Sequence, residues 1–403
     1  MRYWKVIVLA AIVILGIGTY YIQNAFASPD YPEFHLEKVS GDEGVVDGLI
    51  FMGSYIDNYK EFGEDVRITP EDTIYQSERS YFDNMTEGFQ DSTIKRLQSD
   101  YRKFMRGKNE SSSSFFEDDK RLIYADTFGK ESDEGFKIEM LDKETNETTD
   151  FQVEIPENNI NYLNVVDVQA DEKDVFITTR NFYTHDPNKP ETEEGYHVYR
   201  INIENGSLID DEVIFENKTD HSDKGWTELV EVNNDTDIGK EDYFVFRLDH
   251  IKEVGEYDEY DDYETYYKTE SSDFFAYHFG TNELKELKIP DEGLGADKTA
   301  YVHEGAVYFL NKTKSGFELI RYQMDNGELN TTEVPTTLDL YDGNIFIVFH
   351  DGKMYIPNSS LESSTANLFV LDEKTGKLVY EGKMSADREL ENVFLDLNEL
   401  AFE

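Results

Sequence analysis

The 403-residue chain has no cysteine. Its core therefore holds without disulfides, and thiol nucleophiles, thiolate zinc sites and a lipidated cysteine beside the leader are all excluded. Basic residues are scarce, 38 Lys and Arg against 86 Asp and Glu, for a formal charge of -48. Such a surface repels nucleic acid and anionic lipid. The nucleophile elbow Gly-x-Ser-x-Gly, the phosphate-binding glycine loop, the dinucleotide fingerprint and the His-x-x-x-His metal spacing are likewise missing. Carboxylates are so numerous that no acid–base pair stands out from the rest.

What the chain does have is a hairpin that recurs five times. Two strand-like runs flank a short polar turn with Asn146, Gly206, Asn282, Gly327 or Gly376 at one fixed place. Asn and Gly enter positive φ at least cost, so each of these positions is expected to reverse the chain tightly. The flanking runs alternate with period two, as in Phe136, Ile138 and Met140 before the first turn and Phe151, Val153 and Ile155 after it. A further run rich in β-branched and aromatic residues lies upstream of each hairpin, for example Val175-Phe-Ile-Thr-Thr179.

The turn positions lie 60, 76, 45 and 49 residues apart, and a four-stranded propeller blade takes about 40 to 50. Polar insertions at 184–194 and 253–272 account for the two long intervals. Stacked β-sandwiches also give short strands and Gly or Asn turns, but they do not repeat internally at blade length. The expected fold is all-β, a β-propeller of about seven blades with six to eight open, in which Val393-Phe-Leu-Asp-Leu397 through Phe402 closes the ring against an N-terminal blade. One helix is expected at 92–106, where Ile94, Leu97, Tyr101 and Phe104 fall at helical spacing, with Ser92 as its cap.

The last hairpin, Leu368-Phe-Val-Leu-Asp-Glu-Lys-Thr-Gly376-Lys-Leu-Val-Tyr380, resembles the blade repeat of the PQQ-type (quinoprotein) propellers. That family places Trp where this chain has Tyr380, and the chain holds two Trp in all, Trp4 and Trp226. The departure argues against a bound quinone. The resemblance implies the fold, and for activity it implies a scaffold of the kind used in envelope assemblies.

Val6 to Ile22 is free of charge and follows Arg2 and Lys5, an orientation that exports everything after it. Residues 1–27 read either as a signal-anchor helix, with Tyr3, Trp4, Tyr20 and Tyr21 at the interfaces, or as a signal peptide cut after Ala25-Phe-Ala27. In both cases 28–403 is an extracytoplasmic domain. Nine Asn-x-Ser/Thr triplets are present. Together with the leader, the missing cysteine and the acidity, they suit a bacterial surface protein whose triplets follow from its Asn and Thr content.

The acidity itself reads as a surface made for high salt, or as one that collects cations or a basic partner. The stretch 253–273 carries nine acids and one Lys around tyrosines spaced by three. Tyr257, Tyr260, Asp261, Asp262, Tyr263 and Tyr266 are its candidates for binding a protein or a cationic ligand by charge and cation–π contact. Asp235 and Asp237 resemble half of an oxygen-rich calcium loop, but Phe244 stands where a bidentate Glu is needed, so the segment reads as a turn rather than as a metal site; no cofactor is expected, and calcium is the one alternative. A basic cluster, Lys95, Arg96, Arg102, Lys103, Arg106 and Lys108, is expected to dock on the protein's own acids. From these features the chain reads as a non-enzymatic binding, scaffold or sensory ectodomain. The alternative is an extracellular hydrolase or lyase acting on carbohydrate or peptide through carboxylates at the propeller channel.

Overall fold

The computed structural model describes residues 31–57, 62–79, 91–129, 135–156, 160–183, 191–220, 225–232, 238–257, 263–289, 300–360 and 362–402. Among them, contacts separate two units. The smaller draws on Met1–Gly88, Leu340–Glu373 and Leu378–Glu403, and the larger on Phe89–Asp339 with Lys374–Lys377.

The chain opens with β1 (Phe34–Gly41), β2 (Leu49–Asp57), β3 (Phe62–Ile68), β4 (Thr73–Tyr75) and the helix α1 (Ser92–Asp100). Then come β5 (Phe115–Glu117), β6 (Arg121–Phe128), β7 (Gly135–Asp142), β8 (Thr148–Glu154), β9 (Ile160–Ala170), β10 (Asp174–Tyr183), β11 (Glu191–Asn202) and β12 (Leu208–Asp220). β13 (Gly225–Glu231), β14 (Tyr243–Tyr257), β15 (Tyr263–His278), β16 (Glu283–Leu287), β17 (Ala300–His303), β18 (Ala306–Thr313), β19 (Gly316–Gln323) and β20 (Glu328–Pro335) follow. The chain ends with β21 (Val348–His350), β22 (Lys353–Ser359), β23 (Ala366–Asp372), β24 (Leu378–Ala386) and β25 (Val393–Phe402).

These strands form six antiparallel sheets among the described residues, where about seven blades were expected. The larger unit holds four meanders, β5–β8, β9–β12, β13–β16 and β17–β20. The smaller holds β25-β2-β3-β4 and β1-β24-β23-β22-β21. Six is within the range of six to eight; β1 founds no sheet of its own and joins β24, with Phe34 opposite Ala386. β25 pairs with β2, Leu49 opposite Phe402, as expected of a closing strand. The two chain ends thus each complete a sheet begun at the other end, which covers edges that would otherwise be open.

All five turn residues have the left-handed backbone: φ is 58° at Asn146, 65° at Gly206, 55° at Asn282, 71° at Gly327 and 63° at Gly376. In four of them the amide bonds back to the carbonyl four residues earlier, on Asp142, Asn202, His278 and Gln323, at 2.8 to 2.9 Å. Asp142, Asn202 and His278 also accept two amides of the turn through their side chains. The strand's last residue therefore caps the reversal that follows it. The β3–β4 turn has no such residue; Thr69 N–H bonds to Asp72 at 2.9 Å around Pro70.

Apolar clusters lie between successive sheets of the larger unit. Ile123, Phe136, Val175, Ile177 and Tyr199 join β5–β8 to β9–β12. Phe176, Tyr196, Phe244, Phe246 and Tyr277 join β9–β12 to β13–β16. Val245, Phe274, Val307 and Phe309 join β13–β16 to β17–β20. The other face of β5–β8 is covered by α1, whose Ile94 and Leu97 pack with Phe115, Leu122 and Tyr124.

The helix is shorter than expected and is capped by Asp91, which accepts from Thr93 N–H at 2.7 Å and Ile94 N–H at 3.3 Å, so Ser92 is its first helical residue. Two members of the basic cluster pair with the protein's own acids: Arg96 with Glu117, and Lys108 with Glu139 at 2.6 Å, its Nζ over the Phe104 ring. Among the described residues no helix is long and apolar enough to cross a membrane, and the leader 1–27 lies outside them.

Replacing Gly327 by Ala isolates the backbone requirement, because the added Cβ meets only the Tyr322 hydroxyl, at 3.4 Å. The left-handed φ is then expected to cost about 1–2 kcal/mol, while Asn146→Gly stays within a few tenths; urea unfolding of both variants measures the difference. Glu117 supplies a pH test. Burial pushes its carboxyl up, but hydrogen bonds and charge from Arg96 and Lys143 outweigh burial and hold it below its ordinary value. A carboxyl lowered on folding stabilises fully above its unfolded pKa and loses that contribution as pH falls through the folded one. Melting temperature is expected to drop between about pH 5 and pH 2, less steeply in Glu117→Gln.

Candidate functional site

The β9–β12 sheet carries apolar side chains on both faces, and each face also holds a polar network. On the face toward β13–β16, Arg180 Nε donates to Glu194 at 2.9 Å, and its Nη1 lies 3.7 Å from Glu231. Asn217 Nδ2 donates to the other Glu194 oxygen at 3.2 Å and Thr227 Oγ1 to Asn217 at 2.6 Å. The Tyr196 hydroxyl donates to Glu231 at 2.8 Å. Burial first and then the Glu231 charge push this phenol well above its usual range, so it stays protonated. Burial works against the Arg180 charge, and the Glu194 and Glu231 carboxylates outweigh it. This network is ionic and paired throughout.

The opposite face carries a line of uncharged donors that ends in one carboxylate. Tyr183 Oη lies 2.5 Å from His197 Nε2, and His197 Nδ1 lies 3.4 Å from Asp211 Oδ1. Asp211 as a carboxylate can only accept, so the assignment consistent with its partners puts the imidazole proton on Nδ1 and leaves Nε2 to accept from the Tyr183 hydroxyl. His197 is completely buried. The two outer members of the line, Tyr183 and Asp211, are each half-buried, and the imidazole between them is closed off.

Local backbone irregularities build this arrangement. Bulges interrupt the β9–β10 ladder at Phe182/Tyr183 and the β11–β12 ladder at Tyr196/His197, and a bulge re-aims the side chain beside it. Gly195 stands between the two partners. A Cβ there would meet the Phe215 carbonyl oxygen at 2.5 Å and would sit 3.5 Å from Tyr183 Oη. The glycine lets β12 come close and gives the Tyr183 hydroxyl room to pass over β11 to His197. Below the imidazole, Tyr199 stacks at 5.8 Å with 17° between the planes. The Tyr199 hydroxyl accepts from Asn181 Nδ2 at 3.1 Å, and Asn181 Oδ1 accepts from Thr179 at 2.7 Å.

The residues singled out by sequence lie elsewhere. Tyr257 ends β14 and Tyr263 begins β15, directly opposite one another, and Tyr266 stands opposite Val254. The insertion is thus a continuation of two central strands. Positions three apart would share a side of a helix, but the backbone here is extended and paired. Tyr260, Asp261 and Asp262 lie outside the described residues, as do Asp235 and Asp237 of the expected calcium loop. Sequence reading missed Tyr183, His197 and Asp211. The available signal was His197 within the otherwise apolar alternation of Tyr196-His-Val-Tyr199.

No known protein family matches the chain, and no curated protein is similar to it. Solved structures similar to it include an apocarotenoid oxygenase from Synechocystis, at 8% identity over 94% of this chain and 98% of that one, TM-score 0.44. The polysaccharide lyase Uly1 is similar at 11% identity, TM-score 0.34, over 71% of this chain, which spans 57% of the lyase. An oligogalacturonate lyase in complex with manganese is similar at 12% identity over 70% of this chain and 63% of that one, TM-score 0.27. These likenesses transfer no residue role. The sequence-level reading of a non-enzymatic scaffold or sensory ectodomain is set aside for its enzymatic alternative, the three structures just named being an oxygenase and two lyases.

The ionic network makes a stability prediction. Arg180→Met leaves the Glu194 carboxylate buried without its cation, at an expected cost of about 3–5 kcal/mol. Adding Glu194→Gln to that variant removes the stranded charge and is expected to recover more than half of the loss in denaturant unfolding.

Proposed function

We propose that the protein is an extracytoplasmic carbohydrate lyase whose reaction turns on proton exchange at Tyr183. The observation that carries this reading is the Tyr183–His197–Asp211 line, a phenol, an imidazole and a carboxylate in hydrogen-bond sequence. His197 Nε2 takes the Tyr183 proton, and Asp211 steadies the imidazolium that forms. The phenolate oxygen then removes a proton from a carbon acidified by a neighbouring carboxyl group, as in a uronate unit. The electron pair left on that carbon forms the new double bond and expels the glycosidic oxygen, which leaves protonated by solvent or an acid. Hydrolysis is the poorer fit. A glycosidase needs two carboxyl groups across the scissile bond, and the one carboxylate of this line, Asp211, is engaged by the imidazole.

The finer fold reading belongs to the same proposal: the sheets are propeller blades. It is supported by the four meanders of the larger unit and by the strands that the chain ends contribute to each other's sheets in the smaller one. Export rests on the leader. A charge of -48 opposes approach of an anionic polymer, so kcat/KM on a polyuronate is expected to rise with salt as screening sets in.

The test is a panel of neutral and uronate-containing polysaccharides, read by the ultraviolet absorbance of an unsaturated sugar end. Tyr183→Phe keeps the ring and its packing, and is expected to lower kcat by about 10²–10⁴ with an unchanged melting temperature. A Tyr183→Phe protein as active as the parent, or a parent inert on every uronate polymer, would overturn the reading.

A further inference from the structure

We infer that Tyr199, held by Asn181 and Thr179, is a positioning residue that fixes the imidazole of His197 and lies against the imidazolium formed when the Tyr183 proton moves; its effect on turnover rests on the lyase reading above. The two rings are stacked 5.8 Å apart, nearly parallel at 17°. A cation over a tyrosine face within about 6 Å is attracted by the ring's negative face. The imidazolium formed when His197 accepts the Tyr183 proton is such a cation, and it forms in a site closed to water, since His197, Tyr199, Asn181 and Thr179 are all completely buried. The neutral imidazole gains far less from the same stack, so the stabilisation appears when the proton moves.

Three contacts keep Tyr199 from turning. Asn181 Nδ2 donates to its hydroxyl at 3.1 Å, and Thr179 Oγ1 donates to the Asn181 oxygen at 2.7 Å, which sets the amide's orientation. From the neighbouring sheet Phe136 meets the Tyr199 ring at 4.9 Å and 62°. Thr179 and Asn181 alternate along β10, and Thr179 is directly opposite His197 on β11, so ladder and imidazole share one face by register. The apolar cluster around them gives burial, but a buried aliphatic residue at 199 would fill that need without a hydroxyl, an amide or a stack.

The experiment uses the full chain with labelled histidine and compares Tyr199→Phe with Tyr199→Leu. The phenylalanine keeps the stack but gives up the hydroxyl that Asn181 holds, so it is expected to broaden the His197 imidazole nitrogen signals as Asn181→Ser does and to lower kcat by no more than about twofold. The leucine removes the stack, and is expected to shift or broaden those signals and to lower kcat about tenfold. Because Leu at this site can loosen the core, Asn181→Ser serves as a second variant: it keeps Tyr199 and the stack but takes away the amide that orients it, and it is expected to broaden the same signals. Unchanged nitrogen signals in both the leucine and the serine variants, with the fold intact by melting, would overturn the inference. Altered signals combined with a fully active Tyr183→Phe would leave the positioning in place and remove the lyase reading instead.

Discussion

A sheet that buries side chains on both faces has no stable form by itself, and three of the four sheets in the larger unit are of this kind. Phe176 and Ile177 are neighbours on β10, yet one packs toward β13–β16 and the other toward β5–β8. Repetition follows from that constraint, because each sheet supplies the cover that the next one needs. Where no sheet supplies the cover, something else does, and on the outer face of β5–β8 it is α1 with Ile94 and Leu97. The same constraint governs polar groups. Any hydrogen-bonding side chain on such a sheet must find its partners within the layer it faces, so both faces of β9–β12 carry connected networks.

Much of this was legible in sequence. The residues at 146, 206, 282, 327 and 376 announce themselves because a left-handed backbone strongly selects Asn and Gly, and all five adopt it. The sixth hairpin escaped because Thr69-Pro-Glu-Asp72 turns without a left-handed residue of that kind. β25 was legible from its apolar run, but β1 was not. Its exposed Glu37, Lys38 and Val39 mark an edge strand, and no local pattern says that its partner lies some 350 residues away.

The site was not legible, for a reason that lies in hairpin geometry. Tyr183, His197 and Asp211 are each 14 residues apart, a distance set by how far two strands run before they turn and not by any motif. Bulges at Phe182/Tyr183 and Tyr196/His197 then decide which side chains meet, and bulges leave only weak compositional traces. The tyrosine-rich stretch stood out for the opposite reason. Composition advertises it, while the register of β14 and β15 shows that its spacing of three has no helical meaning.

The two networks of β9–β12 differ in a way that bears on chemistry. In the Arg180 network each proton already sits on the group that holds it hardest: Arg180 is kept charged and the Tyr196 phenol kept neutral. Moving a proton there would bury a new charge beside an existing one, so the network can only stiffen the layer. In the His197 line the acceptor is an imidazole, the one side chain that takes and returns a proton near neutral pH. The cation it becomes lies between the Asp211 carboxylate and the Tyr199 ring. The charge that remains behind falls on Tyr183, which is half-buried like Asp211 at the other end. Charge separation thus leaves the phenolate at one end of the line and a compensated imidazolium–carboxylate pair at the other.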